Sequence, residues 1–233
     1  LSIGYVGHNG RVSRVFRATA TQSLSVSLTV GLYGAAFGAA GVAAGFSILQ
    51  TCLLSLLTFS GASQFAVVGI MGSGGSALSA IATAALLGLR NGLYGLRMAP
   101  VLRVRGAKRV LAAHVTIDES TGVAIGQEDL GEDAMRQGFW FTGLGVFLFW
   151  NLFTLAGALG AQAMGNPSAW GLDAAVPAAF LGLVWPRLLG NFERTLAISA
   201  LTLAVLLTPL LPAGLPIIAT VLLAITFGWK VRK

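Results

Sequence analysis

The sequence predicts an all-α protein threaded repeatedly through a lipid bilayer, and three observations predict it. Of 233 residues, 55% are hydrophobic and only 10% charged, against roughly a quarter in an ordinary soluble domain. The mean hydropathy of +0.80 leaves too few charges to clothe a soluble fold of this size. Several apolar stretches reach about 20 residues, the length that crosses a hydrocarbon core of roughly 30 Å. In lipid only helices or closed barrels satisfy the backbone. A barrel would read as short alternating segments; these runs are long and unbroken, so helices are expected.

The apolar segments lie near 23–45, 47–71, 76–101, 110–126, 138–164, 171–189, 194–211 and 213–229. They predict a polytopic integral membrane protein of about seven to eight transmembrane helices, with one of them broken or re-entrant. Residues 1–21 read as an N-terminal cytoplasmic segment, with Leu1 to Asn9 set apart as a leader, and 22–230 as a single transmembrane domain. The most polar stretch, Gln127 to Gln137, reads as a solvated loop.

The net charge of +7 fits basic residues at helix ends that orient the chain by the positive-inside rule, not nucleic-acid binding, since no aromatic-studded basic groove is evident. Arg11, Arg14 and Arg17 precede the first apolar run; Arg103, Arg105, Lys108 and Arg109 follow the third; Lys230, Arg232 and Lys233 close the chain. Three full crossings before Arg103 would put the second cluster on the opposite side from the first. Either one segment between 47 and 101 is re-entrant or broken, or the other helices override the signal. Cys52 is the single cysteine, so there is no internal disulfide and no cysteine-based metal cluster. No metal site or cofactor is expected.

Gly31, Gly34, Gly38, Gly41 and Gly45 recur in steps of three and four, which places them on one helical face. That face either packs closely against another helix or lets one slide. In the second segment, Phe59-Ser60-Gly61-Ala62-Ser63-Gln64-Phe65 sets a glycine among polar residues. Such a sequence can loosen the helix so that Ser60, Gly61, Ser63 and Gln64 bind one end of a small zwitterion. It can equally make plain interhelical hydrogen bonds.

Arg90, Tyr94 and Arg97 share one face of the third segment, with Gly88, Gly92 and Gly95 opposite. A deep Arg90 needs a partner or a substrate carboxylate; Arg97 is expected to snorkel at the surface. His114 and Asp118 are one turn apart and expected to face each other. Asp118 or Glu119 is the natural counter-ion for Arg90. A buried carboxylate can also take up a proton near neutral pH, which makes these two the proton-coupling candidates. Asp173 reads as a helix cap. Most tryptophans sit near segment ends, as an aromatic belt does, whereas Trp150 reads as packing or a pocket wall.

These residues resemble the AzlC family of branched-chain amino acid permeases. The resemblance rests on Phe59 to Phe65, on Leu89-Arg90-Asn91-Gly92-Leu93-Tyr94-Gly95-Leu96 followed by Ala99-Pro100, on Thr116-Ile117-Asp118-Glu119, and on Gly171-Leu172-Asp173 followed by Pro177-Ala178-Ala179-Phe180. It covers about residues 20–190. It implies a multi-pass permease of the cell inner (cytoplasmic) membrane that exports branched-chain or related apolar amino acids by proton antiport, beside a small AzlD-like membrane subunit. The family often has His after the central arginine; Asn91 stands there in this chain, which takes a proton role away from that position. The competing readings are an intramembrane serine hydrolase using Ser60 or Ser63 with His114, and a channel or scaffold subunit. An enzyme is not expected.

Overall fold

The computed structural model describes residues 8–165, 169, 171 and 174–231. Among these there are ten α-helices, short 3₁₀ turns and no strand. The expected leader residues 1–7, Asp173, Trp170 and the final Arg232 and Lys233 lie outside the described residues.

Helices α1 (His8–Ala43) and α7 (Glu132–Ala163) are the two longest. Both are apolar and long enough to cross a membrane, α1 over Val15–Ala43 and α7 over its whole length. No backbone break marks the expected boundary at residue 21, because α1 runs straight through it. The two helices pack side by side and parallel. Gln137 of α7 donates to the Phe16 carbonyl at 2.8 Å, and Thr142 donates to Ser23 at 3.0 Å. Further along, a Cβ at Gly31 would lie 2.6 Å from Phe149, and one at Gly38 would collide with the Thr154 carbonyl. Gly157 approaches the Ala35 backbone in the same way. The glycine stripe therefore lets backbone touch backbone, the close-packing role that small residues serve between apolar helices. Gly45 does not belong to it: α1 has ended, and Gly45 takes φ +89° in the turn that follows.

The end of the bundle that holds Phe16 and the start of α7 is called the first end here, and the end that holds Ala44 the second. The segment expected at 47–71 is broken. Helix α2 (Ile48–Leu57) starts at the second end behind a Ser47 capping box, stops at Thr58, and gives way to α3 (Gly61–Gly72). Gly72 returns to lie against Ala44, so the pair is a re-entrant hairpin. With 10 and 12 residues, each arm is roughly 15–18 Å long, about half of a hydrocarbon core. Gln64 resolves the break. Its fully buried amide donates to the Ser55 carbonyl at 3.2 Å and the Thr58 carbonyl at 2.7 Å, and accepts from the Trp150 indole N–H at 2.9 Å. Carbonyls freed where a helix stops in an apolar setting cost several kcal/mol unless satisfied.

Helix α4 (Ala77–Leu102) leads from the second end to the first, where Arg136 of α7 donates to the Val101 carbonyl at 2.8 Å. A second broken hairpin follows: α5 (Ala107–His114) and α6 (Asp118–Ile125). It returns to the first end, where Gln127 accepts from Thr19 and donates to Gln22. Crossing helix plus hairpin thus occurs twice, as α1 with α2–α3 and as α4 with α5–α6, in opposite directions. Only one broken segment was expected; the marginal stretch at 110–126 is the second. Helix α8 (Ala175–Val184), with a 3₁₀ turn at Trp185–Arg187, and the antiparallel pair α9 (Asn191–Leu207) and α10 (Leu215–Val231) complete the chain.

Two sequence expectations change locally. Gln127 to Gln137 is only partly loop, because Glu132 begins α7; negative charge at a helix start is favourable. Arg97 reaches Glu128 at 2.7 Å, Arg103 reaches Glu132 at 2.9 Å, and Arg136 bridges Glu132 and Asp133. This exposed lattice adds little stability, but it marks the first end as the charged one.

Gly38→Val should lower the thermal unfolding temperature of purified protein markedly, since overpacking a close contact costs roughly 1–3 kcal/mol. Gly92→Val, where a Cβ meets nothing within 4 Å, should leave it nearly unchanged. Gln64→Leu should destabilise more than the first, because two carbonyls and an indole N–H lose their partner at about 1–3 kcal/mol each.

Candidate functional site

The tips of the two hairpins, coming from opposite ends, meet around one cavity of about 230 Å³. From the first hairpin come Phe59, Ser60, Gly61 and Ala62; from the second, Ile117, Asp118 and Glu119. Gly61 is needed for a close approach, because a Cβ there would meet the Trp150 ring at 3.1 Å. Ser60 does not cap α3 with its side chain, and the first intrahelical bond is from Gln64 N–H to the Ser60 carbonyl. The N–H groups of Gly61, Ala62 and Ser63 therefore end the helix without an intrahelical partner. They add the positive end of the helix dipole to the cavity.

Arg90 of α4 donates to Asp118 Oδ2 at 2.9 Å, the pairing expected of a deep arginine. A second cation, Arg187, donates to the same oxygen at 2.7 Å. Glu119 stands beside them in the wall, and among the described residues it has no cation within 4.0 Å. With both carboxylates ionised, the four side chains sum to zero charge. Arg90 Nε is buried and has no hydrogen-bond partner among the described residues. The opposite wall is apolar and aromatic: Val30, Tyr33, Val146, Trp150 and Phe180. Trp150 is both things the sequence allowed, a core residue only 5% exposed and a wall of the cavity. Arg187 is the most open of the charged group, its side chain 59% exposed, and it lies on the first-end side of Phe180.

The other candidates divide. Gln64 does not line the cavity; it is spent on the helix break behind it. Ser63 and Asn91 face a different, groove-like cavity of about 500 Å³ between the first hairpin, α4 and α5, which shares Phe59 and Ser60 with the first cavity. Tyr94 lines neither cavity. His114 does not face Asp118. The helix breaks between them at Val115 to Ile117, and His114 instead sits between the rings of Phe59 and Phe147, with centroids 5.9 and 5.5 Å away. Nor is it bonded to a serine: Ser63 donates to the Ala84 carbonyl at 2.9 Å and its hydroxyl lies 3.1 Å from that of Ser60. That arrangement lacks the serine–imidazole contact a hydrolase requires.

Sequence reasoning missed Arg187. Its signal was present, a lone cation after Trp185-Pro186 in an otherwise apolar segment, but nothing local distinguishes it from an interfacial charge. Only the fold brings it to a carboxylate 69 positions away.

No curated protein and no solved structure matches the chain. The model of the AzlC family matches residues 25–164. That span is more than half of the chain and contains both hairpins, Arg90, Asp118 and Glu119. The family is associated with branched-chain amino acid transport. A helical bundle with two re-entrant hairpins, a charge-balanced cavity at their tips, and that match together place this chain in the AzlC family of membrane proteins.

Proposed function

We propose that this protein is a secondary transporter that exports apolar amino acids, branched-chain ones among them, across the cytoplasmic membrane in exchange for protons. The observation that carries the reading is the cavity at the hairpin tips. A zwitterion brings no net charge, so it enters a balanced quartet without leaving an uncompensated ion in a low-dielectric site. Its carboxylate fits the N–H groups of Gly61 and Ala62 and the Arg90 guanidinium, since anions suit helix N-termini. Its ammonium fits Asp118 and Glu119. Its side chain meets Val30, Val146, Trp150 and Phe180, a surface that rewards apolar area at about 25 cal/mol per Å².

The topology supports the same reading. On this reading α1, α4, α7, α9 and α10 cross the bilayer, the short α8 with its 3₁₀ turn leads the chain from the second end toward the first, and the two hairpins re-enter. Arg17, Arg97, Arg103 and Arg136 then share the first end with Arg105 in the connection to α5 and with Lys108 and Arg109 in the first turn of α5. The parity conflict in the sequence disappears, and by the positive-inside rule the first end is cytoplasmic. Arg187 lies toward that end, so the cavity described here is the inward-open one. A small AzlD-like subunit belongs to this proposal. Leu89, Leu93 and Leu96 are exposed on α4 beside Gly92, leaving room for a closely packed partner helix.

For coupling, the two carboxylates are not equivalent. Asp118 is pinned by two guanidiniums, at 2.9 and 2.7 Å on one carboxylate oxygen. Glu119 lacks such a partner and is the group free to exchange a proton, with Arg90, Asp118, Arg187 and Tyr33 as the charged and ionisable residues around it.

Three variants test this in inverted vesicles loaded across a panel of amino acids at two pH values. Arg90→Ala should cut transport by about tenfold or more, as expected when a charged hydrogen bond worth roughly 1.5–3 kcal/mol is lost. Glu119→Gln should weaken substrate binding, since it removes one ammonium partner, and flatten the pH dependence of what transport remains, while Asp118→Asn should abolish transport at both pH values. Full transport by Arg90→Ala in folded, inserted protein would sink the site. A normal pH response in Glu119→Gln would move the proton elsewhere.

A further inference from the structure

A second cavity of about 670 Å³ lies on the second-end side of the first. Phe65, Ala66, Gly69, Ile70, Val176, Leu211 and Ile217 are among its walls, and none of its described lining residues is charged. Its polar groups are hydroxyls. Thr83, fully buried, lines it with an Oγ1 that has no hydrogen-bond partner among the described residues. Thr208, at the far side, is exposed. Two side chains belong to both cavities: Leu87 of α4 and Phe180 of α8. Phe180 is held from behind by Phe65 at a ring distance of 6.0 Å, and Phe65 is itself set edge-on against Phe37 and Trp150.

We infer that the second cavity is an exit chamber for the transported amino acid, closed off from the charged cavity by a gate of Leu87 and Phe180. This rests on the transport reading above and adds a second station and a barrier to it. The physical argument is one of contrast. The inner cavity offers ion pairs, a helix N-terminus and an aromatic wall; the outer one offers apolar surface and one free hydroxyl. A solute that has passed the gate keeps the contacts of its apolar side chain and loses those of its charged end. It is therefore held weakly on the side where it must leave, as a multi-site pathway requires. The gate is apolar on both faces, so in its closed position it also keeps water, and with it protons, from passing between the two ends. Rotation of the Phe180 side chain, on a helix of only ten residues, opens it without disturbing the α1–α7 seam.

The test uses single cysteines in a Cys52→Ser background, in the full-length protein in right-side-out vesicles, labelled with a membrane-impermeant maleimide from outside. Thr208→Cys should label and, once labelled, should lose most of its transport. Ala62→Cys, at the inner cavity, should resist labelling, and should become reactive when Phe180→Ala is added. Leu87→Ala serves for the gate if Phe180→Ala does not reach the membrane. Failure of Thr208→Cys to label, or labelling without loss of transport, overturns the exit chamber. Equal labelling of Ala62→Cys with and without the gate residue overturns the gate. Labelling reads the path whatever the solute, so a wild-type protein that moves no amino acid counts against the transport reading alone.

Discussion

Everything in this fold depends on stopping a helix in an apolar setting and still satisfying the backbone it exposes. The chain does this twice, at Thr58 to Ser60 and at Val115 to Ile117. At the first break Gln64 takes up two carbonyls with its amide N–H groups and accepts from Trp150 with its oxygen. At the second, Ser120 accepts from the Ile117 N–H and donates back to the Val115 carbonyl at 2.7 Å. Without these side chains each break would leave bare polar groups where water is scarce. With them, the unpaired N–H groups of α3 can be turned toward a cavity.

The charges obey the same logic. Asp118 at the start of α6 gathers Arg90 from the crossing helix and Arg187 from the turn after α8, tying three separate elements together at one oxygen. Burying such ions is costly unless they are paired and hydrogen-bonded. A cluster of this kind is poor value as a structural brace, because an apolar replacement would serve stability as well. Its position where the two helix breaks meet fits the transport chemistry proposed for the site. The α1–α7 seam has the opposite character. It is made of glycine-backbone contacts and hydroxyl hydrogen bonds, and it gives the hairpins a stiff frame to dock on.

Sequence and structure agree where the physics is local. The apolar runs became helices close to their expected positions, since length and hydropathy alone decide that in lipid. The break at Phe59 to Gly61 was legible, because glycine among polar residues weakens a helix wherever it occurs. Arg90 with Asp118 was legible too, because a deep cation must find an acid. The misses are equally instructive. His114 and Asp118 were placed together on a helix assumed continuous. The break between them turned one toward two phenyl rings and the other toward two arginines. Gln64 looked like a ligand and proved to be a repair of the backbone behind the ligand site.

Composition and periodicity by themselves therefore determined that this is a helical bundle of membrane type, roughly where its apolar helices lie, and that Arg90 needs an acid such as Asp118. They could not decide direction. A re-entrant hairpin and a crossing helix have the same hydropathy, and only contacts such as Gly72 on Ala44 reveal that the chain turns back. Those reversals put the basic residues at one end and set two hairpin tips face to face. They also bring Arg187 onto Asp118 and leave Phe180 between a charged cavity and an apolar one. These are long-range relations, fixed by how surfaces pack, and no local pattern in a single sequence encodes them.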